Sequence, residues 1–337
     1  MAGPSFLEAV RVRSTLYAGL REVLHREGFH EVATPVLSPY PDIAPIPQFQ
    51  TAHPDLGKIS CLRIAPTEFL KRVLEGGAAR VYEFSTNFRS ETVDPTHLPE
   101  FTSLEAMQRE ADVGDMQCLT ERLVASAIKA VQPAGDEITY QPPGADRSYT
   151  FEPPWARLSI PQLLAERCGF ARDDFFDLGR VRELHEAMAG AGKAASLADA
   201  MDEVVTAIAR SVTTPVFVGD FPHYLGGPAR PCQDDPRFKE RSELFVGPLE
   251  LANMSSTLTD AAELRAWHEQ NLALKAALGI HPNTLDRPLL EAAERGIPPS
   301  AVVGLGVDRL LMILCGADDI SSVRLFSYGT LHVRELA

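Results

Sequence analysis

Among its 337 residues the chain has only five cysteines, two tryptophans, and 32 basic side chains against 46 acidic ones. Each shortage excludes something. The cysteines (Cys61, Cys118, Cys168, Cys232, Cys315) are odd in number, scattered and without a C-x-x-C pair, so neither a disulfide framework nor a zinc site is expected. Reduced core thiols in a cytoplasmic protein are the expectation. The shortage of basic groups leaves a formal net charge of −14, which argues against coating nucleic acid by phosphate neutralisation but not against a local basic patch. No apolar run approaches the roughly 18 residues of a membrane span, and the start MAGPSFLEAVRVRS shows no signal-peptide pattern, so no membrane contact is expected. At 45% hydrophobic and 23% charged the composition is ordinary globular, which excludes a disordered, collagenous or low-complexity chain.

Apolar groups at Leu7, Val10, Leu20, Val23 and Leu24 form an imperfect helical stripe over 6–27, ended by Gly28. A strand over 29–33 leads into a proline-rich extended loop over 35–47. A proline near the first turn and Gly76-Gly77 at the end predict a helix over 66–74. Strands over 80–89 and 100–107 flank a polar loop, and a helix follows over 115–131. The stretch 133–212 is loop-rich around Pro133, Pro142, Pro143, Pro153 and Pro154, then alanine-rich and helical. It reads as an insertion or helical subdomain away from the chemistry. Strands return over 214–220 and in a hairpin, 243–245 with 250–254, across Gly247-Pro248. Asp260 caps a helix running to Gly279, with Glu263 at the capping-box position. Residues 302–309 predict a strand, glycines, then an apolar helix. The whole, 1–337, reads as a single α+β domain with a mainly antiparallel sheet flanked by helices. Gly304-x-Gly306 lacks the third glycine of a dinucleotide fingerprint, which disfavours a doubly wound fold.

The residues that could carry chemistry are Arg89 and Glu91 closing the strand VYEFSTNFRSE, His97 in the loop after it, Arg309 behind the glycines, and Glu243 with Glu250 on opposite arms of the hairpin. Separated arginines suit phosphate oxygens, and paired carboxylates suit Mg²⁺ bridging those phosphates. Taken singly, each also fits a structural role: a cross-strand ion pair at Arg89 and Glu91, a helix-start pair at Asp308 and Arg309, solvated edge residues at Glu243 and Glu250.

Three segments together resemble one family. RVYEFSTNFRSETVDPTHLPEFTSLEAM resembles the second signature motif of class II aminoacyl-tRNA synthetases, GLGVDRLLMIL the third, and GFHEVATPVLSP the first, the helix–strand unit that builds their dimer interface. RIAPTEFLKRVLEGGAARVYEFSTNFRSE and ELFVGPLELANMSSTLTDAAE resemble the lysyl branch, and the likeness runs over 6–328. The N-terminal anticodon-binding barrel of full lysyl enzymes has no counterpart in this sequence. The size resembles that of the free-standing elongation factor P–(R)-β-lysine ligases, paralogues that load an amino acid onto a protein lysine. The resemblance implies ATP and Mg²⁺ as cofactors, a homodimer, an amino-acid substrate, and an acceptor protein (elongation factor P or another) or small molecule without anticodon contact. It also implies that Arg89 holds the α-phosphate and substrate carboxylate, Glu91 reads the adenine amino group, and His97 touches the outer phosphates. Phe101 stacks on adenine, Arg309 covers its other face and binds the γ-phosphate, Glu243 and Glu250 hold the metal, and Asn253 helps place the substrate carboxylate.

The amino-acid pocket departs from that pattern. The branch motif N-G-F-x-E-L is here Asn253-Met254-Ser255-Ser256-Thr257-Leu258, with threonine where the glutamate for the side-chain ammonium belongs. Met107 stands where an aromatic is expected two residues after Glu105. A-P-E has become Ala65-Pro66-Thr67, so Glu68 comes one place after the glutamate that takes the α-ammonium. A buried ammonium without its carboxylate costs several kcal/mol, so neither lysine nor β-lysine is the expected substrate. A smaller or neutral amino acid is expected, with Glu105 retained for one cationic group and Met107, Ser255 and Thr257 shaping the pocket. Gly304 matches tRNA-charging lysyl enzymes rather than the alanine of the β-lysine ligases. Rival readings are a biosynthetic amino-acid ligase, a silent regulatory paralogue, or an ordinary tRNA synthetase.

Overall fold

Period-two alternation along the strands gives one large sheet two unlike faces, and the cover on each face decides where a site can open. The computed structural model describes residues 4–326 except 53–54, 56–58, 133–138, 143–144, 146, 191–195 and 281–283. Pro133 and Pro143 of the loop-rich stretch, and residues 327–328 of the family likeness, thus lie outside the described residues.

In chain order the strands are β1 (His30–Glu31), β2 (Leu37–Ser38), β3 (Gln50–Ala52), β4 (Ile59–Leu62), β5 (Arg80–Phe88), β6 (Glu100–Arg109), β7 (Thr139–Tyr140), β8 (Tyr149–Thr150), β9 (Ala156–Ser159), β10 (Val216–Pro222), β11 (Phe238–Val246), β12 (Leu249–Ser256) and β13 (Ser300–Gly306). The helices are α1 (Phe6–Arg26), α2 (Thr67–Glu75), α3 (Val113–Val131), α4 (Ile160–Cys168), α5 (Leu178–Ala189), α6 (Leu197–Arg210), α7 (Ala261–Ala277), α8 (Arg287–Arg295) and α9 (Val307–Cys315). The large sheet has the order β1-β5-β6-β13-β12-β11-β10-β9. Its six central strands are antiparallel, and the two edges, β1 on β5 and β9 on β10, are parallel. This is the expected α+β architecture.

Leu104 and Ala106 on β6, with Ala301, Val303 and Leu305 on β13, are buried in one core with Leu20 of α1, Leu119 and Leu123 of α3, and Leu310 and Leu311 of α9. Each such leucine or valine contributes about 1.5–3 kcal/mol on leaving water. Local signals start these helices: Ser5 caps α1, Asp112 and Asp115 form a capping box on α3, and Asp260 caps α7 as expected.

The opposite face is only partly covered. At one end α2 packs on it through Leu70 and Leu74 against Val81 and Met107. At the other end α4, α5 and α6 form a second core with Val216, Val218, Phe221 and Phe245 of β10 and β11. The middle of the face stays open.

Three expectations need correction. The stretch 133–212 is not set apart from the sheet: β9 is its edge strand, and α6 flanks the open face. The strand over 29–33 shrinks to His30–Glu31, and β2, β3 and β4 form a small sheet within and after what read as loop. The helix read as starting at 115 begins two residues earlier, at its capping box.

Candidate active site

The open face holds a cavity of about 830 Å³. Its floor is a single transverse row across four strands. Glu243 of β11 pairs in register with Asn253 of β12, Asn253 with Gly304 of β13, and Gly304 with Glu105 of β6; beyond the cavity the row continues to Glu83 of β5. Residues far apart in sequence are thus adjacent because the strands are in register and alternate faces.

At one end lie the phosphate-type groups. The Arg89 guanidinium sits 5.1 Å from the centre of the Phe101 ring, and its buried Nε has no hydrogen-bond partner among the described residues. Arg309 donates to the Glu250 carbonyl at 2.5 Å and the Thr96 carbonyl at 3.3 Å, and stands 3.6 Å from the Glu250 carboxylate. Its second terminal nitrogen is 2.8 Å from His97 Nε2, while His97 Nδ1 is 2.9 Å from Asp94. An arginine only donates, so Nε2 accepts and the Nδ1 proton faces Asp94. Glu91 and His97 lie on the cavity wall, more exposed than the rest.

The hairpin supplies the acidic side. Glu243 pairs with Arg241 and accepts from Asn253 Nδ2 at 3.0 Å. Burial pushes the Glu243 carboxyl up to about 8; Arg241 opposes this, and Glu250 and Asp202 add to it. Among the described residues no three His, Cys, Asp or Glu side chains gather into a self-sufficient metal site. Mg²⁺ is held by one or two carboxylates plus phosphate oxygens, so Glu243 and Glu250 fit that ion as partial ligands.

At the other end the floor meets α2. Burial raises the Glu105 carboxyl to about 7, against the pull of Ser103, Arg89 and Thr67. Thr67 Oγ1 donates to it at 3.4 Å and Ser103 Oγ at 3.3 Å. Glu68 lines the cavity but accepts two bonds from the buried Lys71, at 3.0 and 3.1 Å. Glu83 is likewise consumed, by Arg63 at 2.7 Å and by Thr34. Ser255, Thr257 and Gly304 line the cavity.

Met107 does not. It is wholly buried in the apolar contact beneath α2 and is absent from the cavity wall, because that helix covers the sheet one row beyond Glu105. Lining residues not anticipated include Asp42, Asp202 of α6, Trp267 of α7 and Arg241. Arg241 lies 4.5 Å over the Phe221 ring and is hydrogen-bonded to Asn253 at 3.4 Å. Gly226 makes room for it, since a Cβ there would sit 2.3 Å from the guanidinium. Its signal was available, two places before Glu243 on the same face of β11.

An antiparallel sheet with an arginine–aromatic pair, a hairpin of acids and a glycine strand leading into an arginine-bearing helix is the core of a class II synthetase. The profile described as tRNA synthetases class II (D, K and N) matches residues 1–329, and the chain belongs to that family. Within it, the chain is similar to lysine–tRNA ligases: 34% identical over 333 residues to that of Chloroflexus aurantiacus and 36% over 332 to that of Parasynechococcus marenigrum, in each case over 97% of this chain. The ligase of Magnetococcus marinus is 32% identical over 95% of it. The chain spans 63–65% of the length of these relatives.

Proposed function

We propose that the chain activates an amino acid with ATP to an aminoacyl-adenylate and passes it to an acceptor other than tRNA. One observation carries the activation step: the transverse row from Glu243 to Glu105 runs beneath a single cavity with Arg89 and Phe101 at its rim. The row gives an amino acid a polar floor, and the rim gives a nucleotide an aromatic face and cationic groups.

The amino-acid carboxylate attacks the α-phosphorus in line, the bond to the bridging oxygen breaks, and pyrophosphate leaves with that electron pair. No side chain becomes a nucleophile. Arg89 takes the negative charge developing on the α-phosphoryl oxygens, and Arg309, held by Glu250 and Thr96, takes that of the departing phosphates. Asn253 orients the attacking carboxylate. Glu91 meets the adenine amino group. His97 stands beside the outer phosphates once Arg309 turns to them. Glu243 and Glu250 would hold Mg²⁺, which neutralises phosphate charge when bound.

The amino acid is not lysine. Thr67 and Thr257 carry no charge, Glu68 is neutralised by Lys71, and Glu105 is raised to about 7. The acceptor is a protein lysine, as in elongation factor P modification. The acidic balance of 46 to 32 gives a polyanion little long-range attraction, which supports a protein acceptor over tRNA. Exposed Val36, Leu37, Phe49 and Ile59 on and around the small sheet support a homodimer built beside the first-motif segment. Five free cysteines suit a reducing cytoplasm, and no described helix is long and apolar enough to cross a membrane.

The test is ATP–pyrophosphate exchange with each common amino acid and β-lysine, followed by transfer of the labelled best substrate to elongation factor P or to total tRNA. Exchange with a non-lysine amino acid and protein labelling are expected. Activation of lysine above all others removes the pocket argument, and labelling of tRNA alone removes the acceptor argument.

A further inference from the structure

Four of the eight carboxylates that line the cavity are matched by cations, Glu68 by Lys71, Glu243 by Arg241, Glu250 by Arg309, and Asp308 by Arg13 and Arg324; Asp42, Glu91, Glu105 and Asp202 have no ion pair among the described residues. Asp42 lines the same cavity and has no cation within ion-pair distance among the described residues. Its placement is nevertheless closely determined. The Asp42 carbonyl accepts from Lys275 Nζ at 2.7 Å, and its own Oδ1 accepts from the Ala44 N–H at 2.9 Å. Lys275 comes from α7 and is 1% exposed, so a fully buried ammonium is spent on holding this backbone. The second carboxylate oxygen has no hydrogen bond from any described group. The Asp42 carboxyl feels the charge of Glu68 at the start of α2 and, with opposite sign, the ammonium groups of Lys275 and Lys71; Glu68 adjoins Thr67, which stands where the family likeness places the carboxylate for the α-ammonium.

We propose that Asp42 binds the α-ammonium of the amino-acid substrate, a task that uncharged Thr67 and Lys71-bound Glu68 cannot perform. This rests on the amino-acid-activating reading above. A carboxylate–ammonium contact is charge-assisted and is strong where water is scarce. With the α-ammonium at Asp42, the other lining groups Glu105, Ser255, Thr257 and Trp267 are left to meet the side chain. Recognition therefore divides: the backbone charge of the substrate is read from the loop after β2, and side-chain identity is read from the sheet. The substrate class is a free α-amino acid, as opposed to an N-acylated or 2-hydroxy acid.

The experiment measures thermal stabilisation by the amino acid and steady-state pyrophosphate exchange, for the intact chain and for Asp42→Asn. In the intact chain the amino acid should be preferred over its 2-hydroxy-acid and N-acetyl analogues by about 10- to 100-fold, the range of a hydrogen bond to a charged group. In Asp42→Asn the KM for the amino acid should rise by that factor and the preference should collapse, while the KM for ATP stays within about twofold. Amino-acid stabilisation that depends on Asp42, without pyrophosphate exchange, would remove the ligase reading and keep this one. Exchange with KM and analogue preference unchanged in Asp42→Asn overturns this one and keeps the ligase. Equal acceptance of the hydroxy acid by the intact chain also overturns it, and that comparison needs no variant to fold. An intact chain that no amino acid stabilises overturns it as well.

Discussion

Gly304 and Glu105 face each other across β13 and β6 so closely that a Cβ on the glycine would lie 2.8 Å from Glu105 Oε1. The glycine is what lets a carboxylate lie flat on the cavity floor. Gly304→Ala should push Glu105 toward Thr67 or out of its rotamer. The expected result is a rise of at least about tenfold in amino-acid KM with the ATP KM nearly unchanged, and a stability loss of about 1–3 kcal/mol. Exchange kinetics with each substrate varied in turn check this, and equal shifts in both KM values would contradict it.

Glu105 should also make stability depend on pH. Its carboxyl titrates at about 7 in the folded chain, against 4.5 for an ordinary glutamate, with burial as the main cause. The folded state therefore binds this proton more tightly than the unfolded state. The resulting stabilisation is complete below about pH 4.5 and is lost as pH rises through 7, at a total of about 3 kcal/mol. Glu105→Gln removes that dependence. The difference in Tm, variant minus intact chain, should be near zero at about pH 4.5 and reach several degrees in favour of the variant by about pH 8. A flat difference would show that Glu105 ionises without penalty.

The same residue shows what was legible in the sequence and what was not. Residues 80–109 read correctly as two strands around a polar loop because the period-two pattern and the loop prolines are local, and Glu105 fell on the right face. Met107 is assigned to the pocket by the family likeness, which expects an aromatic two residues after Glu105, and it is on that face of the sheet. Nothing local says that α2 lies over that row, so its burial beneath Leu70 and Leu74 was not legible. Asp202 failed for the converse reason. Its helix reads as an ordinary amphipathic segment, and only the packing of α6 on β10 and β11 brings it to the cavity. Asp42 sat in a proline-rich loop whose path depends on Lys275, 233 positions away.

Asp308 ties the arginine-bearing helix to distant segments. It is 2% exposed and accepts from Arg13 at 2.7 Å, the Thr102 N–H at 2.8 Å and Arg324 at 3.2 Å. Asp308→Asn keeps the shape but leaves Arg13 without a counter-charge, while Arg324 keeps Glu100 at 2.8 Å, so a loss of about 3 kcal/mol is expected. Thr102 adjoins Phe101 and Asp308 adjoins Arg309, so the KM for ATP should rise more than that for the amino acid. Chemical denaturation and exchange kinetics measure the two effects, and an unchanged unfolding midpoint would contradict the buried-hub reading.

Thr257 offers a gain-of-function test of why lysine should be refused. It is 2% exposed, lines the cavity, and its Oγ1 has no hydrogen-bond partner among the described residues. The family likeness puts a glutamate there for the side-chain ammonium. Thr257→Glu adds a buried carboxylate to a floor that already holds Glu105. Without ligand, that uncompensated charge should lower stability by about 3 kcal/mol or more. Lysine supplies the missing cation, so saturating lysine with ATP should restore much of the lost Tm, and lysine-dependent pyrophosphate exchange should rise at least about tenfold over the intact chain. A variant that is destabilised yet shows no lysine-dependent recovery would place the exclusion of lysine elsewhere, at Thr67 or in the bulk of Trp267 against the side chain.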